Sequence, residues 1–104
     1  MNEINQNYLK QHTDILSFRD LSGHTISTYE SYMTQFIEWT ETSLNGKSLS
    51  DISWEEIRSY VLYLKEVRQL NPRTINVHIA QLRDFYLYVL HRDWDRYQVS
   101  LSSL

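Results

Sequence analysis

The stretch LNPRTINVH, residues 70–78, has the pattern of a helix start, and a similar stretch, LSGHTISTY, stands at residues 21–29. A small polar residue precedes each predicted helix, Asn71 in the later stretch and Ser22 in the earlier one. Such a side chain accepts a hydrogen bond from an otherwise unpaired backbone N–H of the first turn. Pro72 suits the first helical position, because its φ is fixed and its missing N–H is not needed there. The sequence therefore predicts two helices that begin in the same way.

Thr25 and Thr74 occupy the third position of these two helices. The N-terminus of a helix carries partial positive charge and unpaired N–H groups, so both tips suit contact with an anion such as a phosphate. Helix capping alone explains the same residues, and this structural interpretation stays open at this point.

The composition predicts one domain built from long helices. The chain has 104 residues, of which 41% are hydrophobic, enough for one core. Only two Gly and one Pro interrupt it, and no segment has the alternating pattern of a strand. The absence of Cys excludes disulfides and thiolate metal sites. We expect an all-α fold, a four-helix bundle or an orthogonal array of helices.

Amphipathic patterns place the four predicted helices at residues 7–20, 23–42, 54–69 and 72–90. Ser53 and Glu56 form a capping box that opens the third of these helices. We expect residues 1–6 to be a flexible N-terminus, residues 7–92 to be the helical domain, and residues 93–104 to be a tail or linker.

Membrane and secretion signals are missing from the sequence. No apolar run approaches the roughly 18 residues of a membrane span, and no signal peptide opens the chain. We expect a cytoplasmic protein with no membrane partner and no small-molecule substrate.

Charge is distributed unevenly along the chain. Residues 1–56 carry three basic and nine acidic side chains, whereas residues 57–104 carry seven basic and four acidic ones. From Arg58 to Arg83 the only acid is Glu66. The overall net charge of −3 argues weakly against nucleic acid. The basic sector is compatible with a one-faced contact to a polyanion, with ordinary surface charge as the alternative.

No arrangement of residues indicates catalysis. Glu55 and Glu56 are adjacent and are explained by the capping box, and no Gly-rich phosphate loop occurs. The histidines show no metal-ligand spacing, and His12 is interpreted as a core residue on an apolar stripe. The four histidines are His12, His24, His78 and His91. We expect no enzyme activity, no metal and no cofactor in this chain by itself.

Three segments together resemble the N-terminal core-binding, or SAM-like, domain of tyrosine recombinases, the phage-integrase family. They are LSGHTISTYESYMTQFIEW at residues 21–39, DISWEEIRSYVLYL at residues 51–64 and LNPRTINVHIAQLRDFYLYVLHRD at residues 70–93. The resemblance covers roughly residues 7–92. The matching positions are Leu21, Ser22, Thr25, Ile26, Tyr29, Thr74, Ile75, Ile79, Leu82, Arg83, Phe85 and Tyr86.

The resemblance implies a SAM-like four-helix bundle that forms one half of a clamp on duplex DNA in DNA integration or recombination. In such proteins the helices that correspond to residues 23–42 and 72–90 lie against the major groove and backbone. Other recombinase protomers on the same DNA are implied partners, and the protein would be nucleoid-associated when bound. The catalytic half, with its Tyr nucleophile, would follow Leu104, so the chain looks like an excised domain or a truncated gene product.

One departure from the family pattern affects the predicted contacts. The family often has Arg or Lys just after the helix-opening Tyr, where this chain has Glu30. The earlier helix would then contribute mainly hydroxyls, with His24 acting only if protonated, and the later helix would contribute the charge. The predicted DNA-binding residues are His24, Thr25, Ser27, Thr28, Ser31, Arg68, Arg73, Thr74, Asn76 and Arg83.

A helical protein-interaction module is the alternative function. Its contact surface would be the aromatic residues around Trp39, Trp54 or Trp94. Association through such a surface would survive high salt, because apolar burial is not screened by ions.

Overall fold

The structure, a computed structural model, describes residues 1–94 and Val99. Within these residues the chain is all-helical, without a strand, as the sequence predicts. The four main helices are α1 (Glu3–Ser17), α2 (Gly23–Ser43), α3 (Trp54–Leu62) and α4 (Pro72–Asp84). The chain divides into two units, Met1–Asp51 and Ile52–Leu104, which are described one at a time.

In the first unit, α1 packs against α2 and begins earlier than the sequence predicts. The predicted start was Asn7, but Asn2 caps the helix by accepting a hydrogen bond from the Asn5 backbone N–H over 2.8 Å. The side chain of Asn5 is itself buried: it donates to the Lys47 carbonyl (3.2 Å) and accepts from the Leu49 N–H (3.1 Å). The polar N-terminal segment is therefore helical because its amides bind a loop more than forty residues away.

The start of α2 follows the prediction. Ser22 accepts a hydrogen bond from the Thr25 N–H over 3.1 Å. After the helix, Asn45 and Gly46 have φ values of 55° and 72°, and they close a turn. A short 3₁₀ turn, Leu49–Asp51, then leads out of the unit. On the core side of α2, Met33, Phe36, Ile37 and Thr40 are buried, whereas Ile26 and Tyr29 near its start are half-buried.

In the second unit, α3 begins with the predicted capping box. The Ser53 hydroxyl accepts from the Glu56 N–H (3.2 Å), and the Glu56 carboxylate accepts from the Ser53 N–H (3.0 Å). The α-helical hydrogen bonding stops at Leu62, and the segment Tyr63–Val67 continues as a π-helix. The predicted single helix over residues 54–69 is thus two helical segments of different winding.

The end of α4 repeats this change of winding. After Asp84, the segment Phe85–Val89 is π-helical. Each π-helical segment is followed by a residue with positive φ, Gln69 and His91, both at 53°. A backbone N–H then reaches back six residues, from Leu70 to the Leu64 carbonyl (3.1 Å) and from Arg92 to the Tyr86 carbonyl (2.8 Å). The predicted ends at residues 69 and 90 lie within two residues of the observed ones, but the sequence does not predict their winding, because neither positive-φ position is Gly.

An aromatic cluster closes the second unit. The rings of Trp54 and Trp94 meet edge to face with centroids 5.1 Å apart, and Tyr86 lies 6.3 Å from both. The Arg92 guanidinium lies 4.0 Å from the Trp54 ring centroid and donates to the Ile52 carbonyl over 2.6 Å. Residues 92–94 are therefore packed onto the unit.

Most of the predicted tail or linker, residues 95–98 and 100–104, lies outside the described residues, and the predicted domain boundaries stay a prediction. No helix of the described part of the chain has the length and apolarity needed to cross a membrane.

Candidate nucleic-acid interface

Five of the predicted site residues lie on the first turns of α2. His24 is exposed, and its carbonyl accepts a hydrogen bond from the Thr28 hydroxyl (3.0 Å). The Thr25 hydroxyl shares a hydrogen bond with Ser22 Oγ (2.9 Å). Ser27 and Ser31 are exposed on the same side, because positions 24, 27, 28 and 31 follow the helical repeat. This face of α2 presents small hydroxyls, and three of the four predicted ones are already bonded locally, because Ser31 Oγ accepts from Gln35 Nε2 (3.3 Å).

Glu30, which departs from the family pattern, makes a contact inside the first unit. Its carboxylate accepts a hydrogen bond from the Thr13 hydroxyl of α1 over 3.1 Å, and the residue is half-buried. The acid therefore tethers α2 to α1. It does not stand on the face formed by His24, Ser27 and Ser31, because its side chain turns towards α1.

The start of α4 is built as predicted. Asn71 Oδ1 accepts a hydrogen bond from the Thr74 N–H over 2.9 Å, and Pro72 occupies the first turn. Ile75 and Leu82 are buried on the core side. The cap holds the first turn of α4 in place, so that Arg73 projects from the tip of the helix.

The opposite side of α4 carries a narrow stripe, which we call the α4 stripe. Its members follow one another at spacings of three, four and three residues, so they share one face of the helix. At 1.5 Å per residue, its two ends are about 15 Å apart along the axis. Three of the four are exposed and the alanine is half-buried. The members of the stripe are Arg73, Asn76, Ala80 and Arg83.

The two arginines of the stripe differ in their surroundings. Arg83 Nε lies 3.7 Å from Asp84 Oδ1, and the Arg83 side chain is 51% exposed. Such a long, solvent-screened ion pair is weak, so a phosphate can replace the carboxylate. No acidic group among residues 1–94 forms an ion pair with Arg73. The positive charge at both ends of the stripe is therefore available to an anion.

Arg68 follows the π-helical segment Tyr63–Val67, which contacts α4. Arg68 is exposed, and its positive charge acts on the buried His78 of the same unit. Burial, and then the positive charge of Arg68, lower the pKa of His78 to about 4. His78 is consequently neutral at pH 7 and adds no positive charge to this unit.

Sequence reasoning did not recognise His78 as a core residue. It is 2% exposed and lies on the core side of α4. The signal was present, because His78 comes three residues after Ile75 and four before Leu82. His12 is buried, as predicted from its position on the apolar stripe of α1.

The ten predicted site residues thus form two groups. Within the first unit, the structure brings together the five residues of α2. Within the second unit, it brings Arg73, Thr74, Asn76 and Arg83 together on α4, with Arg68 at the end of the preceding helix. No group of three or more potential metal ligands occurs in the part of the chain that the structure describes.

The three tryptophans of the alternative interaction surface are partly buried by internal contacts. Trp39 stacks on Phe36 with ring centroids 6.3 Å apart, and Trp54 and Trp94 belong to the aromatic cluster of the second unit. Each is half-buried. Their rings contact other side chains of the protein and so present less apolar surface to a partner than their number suggests.

An all-helical domain with four main helices is what the recombinase resemblance implies. The family of the phage integrase N-terminal SAM-like domain matches this chain over residues 8–96, and the chain belongs to that family. The predicted family membership and SAM-like fold class are confirmed.

Curated relatives come from the same group of proteins. TnP I resolvase of Bacillus thuringiensis is 31% identical over 94 residues, which cover 90% of this chain and 33% of the relative. Tyrosine recombinase XerD of Listeria monocytogenes is 31% identical over 88% of this chain and 29% of its own length. Tyrosine recombinase XerC of Roseiflexus sp. is 28% identical over 68% of this chain and 22% of its own length.

The chain thus spans about a third or less of these relatives. No solved structure gives a significant match.

Proposed function

We propose that this chain is the DNA-binding domain of a site-specific tyrosine recombinase or integrase and holds duplex DNA during integration or recombination. The observation that carries the proposal is the α4 stripe, where exposed Arg73 and Arg83 flank the small residues Asn76 and Ala80. Membership of the phage-integrase family supports the same conclusion. The chain by itself performs no catalysis, and the reacting groups belong to a separate catalytic domain.

The cations of the second unit are the phosphate contacts in this proposal. Arg73 and Arg83 bind phosphates from the two ends of the stripe, and Arg68 binds a third from the end of the preceding helix. Guanidinium groups suit this role because they donate two parallel hydrogen bonds to phosphate oxygens. Thr74, at the tip of α4, lies where a backbone phosphate meets the positive helix end.

The α2 group contributes mainly hydroxyl contacts. Thr25, Ser27, Thr28 and Ser31 offer hydroxyls to the DNA backbone, and His24 offers an imidazole ring near the helix N-terminus. Neutral groups of this kind position a protein on DNA but add little salt-dependent affinity. With few cations, the isolated domain binds duplex DNA weakly, with a Kd on the order of 10⁻⁴ to 10⁻⁶ M.

Further partners follow from the same proposal. Other recombinase protomers would bind the same DNA, and the protein would act in the cytoplasm, associated with the nucleoid when bound. No cofactor enters the proposed role.

The test is a fluorescence-anisotropy titration of a labelled 20-base-pair duplex at low salt. Arg73→Glu/Arg83→Glu should weaken binding by at least tenfold, because two phosphate contacts become repulsive. The control Lys10→Glu/Lys47→Glu changes the net charge equally but alters the first unit, so it should bind like the wild type apart from a small general effect of charge. Circular dichroism checks that both variants fold.

Two results would contradict the proposal. One is the absence of binding by the wild type at low salt, and the other is equal binding by the wild type and the Arg73→Glu/Arg83→Glu variant. Self-association on a sizing column that persists at high salt, without DNA binding, would instead support the interaction-module alternative.

A further inference from the structure

Asn76 lies inside the α4 stripe, one turn after Arg73 and two turns before Arg83. It is exposed, and the next member of the stripe is the small Ala80. The long arginine side chains stand at the ends of the stripe and the short side chains stand in its middle. Because the short side chains are in the middle, the helix backbone can come closest to a binding partner at the centre of the stripe.

The length of the α4 stripe is similar to the width of the major groove of duplex DNA. Its ends are about 15 Å apart along the helix axis, and the major groove is about 12 Å wide and admits an α-helix. Arginines that hold phosphates on the two sides of the groove place the middle of the stripe over the edges of the base pairs. Ala80 removes the bulk that would otherwise hold the helix away from those edges.

The carboxamide of Asn76 neither caps a helix nor joins two segments within the described residues. Asn2, Asn5 and Asn71 each accept a hydrogen bond from a backbone N–H. The side chain of Asn76 makes no hydrogen bond to any residue among 1–94. Asn is also a poor helix former, since its side chain competes for backbone groups. Neither packing nor capping therefore explains an asparagine at this position.

The hydrogen-bond donor and acceptor of the carboxamide complement the major-groove edge of adenine. Its NH₂ donates and its oxygen accepts, which fits adenine, where N7 is an acceptor and the N6 amino group is a donor in the major groove. Guanine presents two acceptors there and suits arginine. We propose that Asn76 recognises an adenine in the DNA that α4 contacts, so that this helix selects A·T base pairs. The inference rests on the proposed DNA-binding function.

The test compares three 20-base-pair duplexes at one salt concentration: alternating A·T, alternating G·C, and alternating A·T in which 7-deazaadenine replaces adenine. The wild type should bind the A·T duplex on the order of tenfold more tightly than the G·C duplex, the discrimination expected of one bidentate contact. Loss of the N7 acceptor in 7-deazaadenine should remove most of this preference.

Asn76→Ala is the matched variant. Alanine favours the helix, so the variant should fold, and circular dichroism with thermal unfolding checks this. It should bind all three duplexes equally, with the affinity that the wild type has for the G·C duplex. Asn76→Gln, which keeps the carboxamide on a longer stem, should retain part of the preference for adenine.

The outcomes separate this inference from the proposed function. A preference for A·T that persists in Asn76→Ala comes from groove shape and overturns the inference, and so does equal binding of A·T and G·C by the wild type. In both cases DNA binding itself stands. If the wild type binds none of the duplexes, the proposed function fails and the inference fails with it.

Discussion

At the scale of single residues, His78 shows how a position on a helix changes the chemistry of a side chain. The residue is almost completely buried, and burial together with Arg68 lowers the pKa from the ordinary 6.5 to about 4. The unfolded chain therefore takes up the proton first as the pH falls. Above pH 6.5 His78 has little influence on stability, and below it the folded state loses stability until about pH 4.

His78→Gln should make the protein less sensitive to acid. Between pH 7 and pH 5 the wild type should lose about 2 kcal/mol of unfolding free energy through this one residue, whereas glutamine does not titrate. Urea unfolding of both proteins at pH 7, 6 and 5 measures the difference. Identical pH dependence of the two proteins would show that His78 is not held neutral in the folded state.

Single residues also show which parts of the site the sequence predicts. Arg73, Asn76 and Arg83 are exposed, as their spacing opposite the apolar positions of α4 indicated. The amide of Asn5 is different, because its two partners lie more than forty residues away. A polar residue near the N-terminus gives no sign of such a contact, so the segment was predicted to be flexible.

At the scale of elements, the starts of α2, α3 and α4 were predictable, whereas the start of α1 and the winding at the ends of the third and fourth helices were not. Ser22, Ser53 and Asn71 cap their helices with side chains that bond a backbone N–H three residues later. This interaction joins residues three positions apart, so it can be predicted from the sequence. The third and fourth helices end in π-helical segments followed by the positive-φ residues Gln69 and His91. Neither position is glycine, so the sequence does not indicate the positive φ.

The end of the third helix predicts a stabilising substitution. Gln69 is exposed and has a φ of 53°, a conformation that glycine adopts without the steric penalty of a side chain. Gln69→Gly should therefore raise the unfolding free energy by about 1 kcal/mol. Chemical unfolding followed by circular dichroism measures the change.

Glu66→Gly is the control for this substitution. Glu66 lies inside the π-helical segment, where glycine should lower stability by about 1 kcal/mol. Stabilisation by both substitutions, or by neither, would contradict the assignment of positive φ to Gln69 as the strained position.

At the scale of the whole molecule, a protein with a net charge of −3 is proposed to bind a polyanion. Acidic residues are concentrated before residue 57 and basic ones after it. Binding then depends on a small number of cations rather than on overall charge, and each phosphate contact releases counterions. The affinity should fall with salt, but less steeply than for a strongly basic protein.

The salt dependence of the DNA-binding constant measures the number of phosphate contacts. In a plot of log Kobs against log salt concentration, Arg73→Gln should make the slope less steep by about 0.9, the value for one phosphate contact. Lys10→Gln, which removes one positive charge from α1, should leave the slope unchanged. An unchanged slope in Arg73→Gln would remove this residue from the phosphate contacts while leaving the other arginines to be tested.

The amino-acid sequence by itself determined the all-α class, the three capped helix starts, the family and the positions of the exposed arginines. These features depend on helical periodicity and on hydrogen bonds between residues three or four apart, which can be read along the chain.

Only the tertiary structure decided where α1 begins, how the third and fourth helices end, and that Trp54, Tyr86, Arg92 and Trp94 pack together. It also buried the amide of Asn5 against the backbone of Lys47 and Leu49. The physical reason is that burial and long-range hydrogen bonds join residues distant in sequence, and their free energies appear only when the chain is folded.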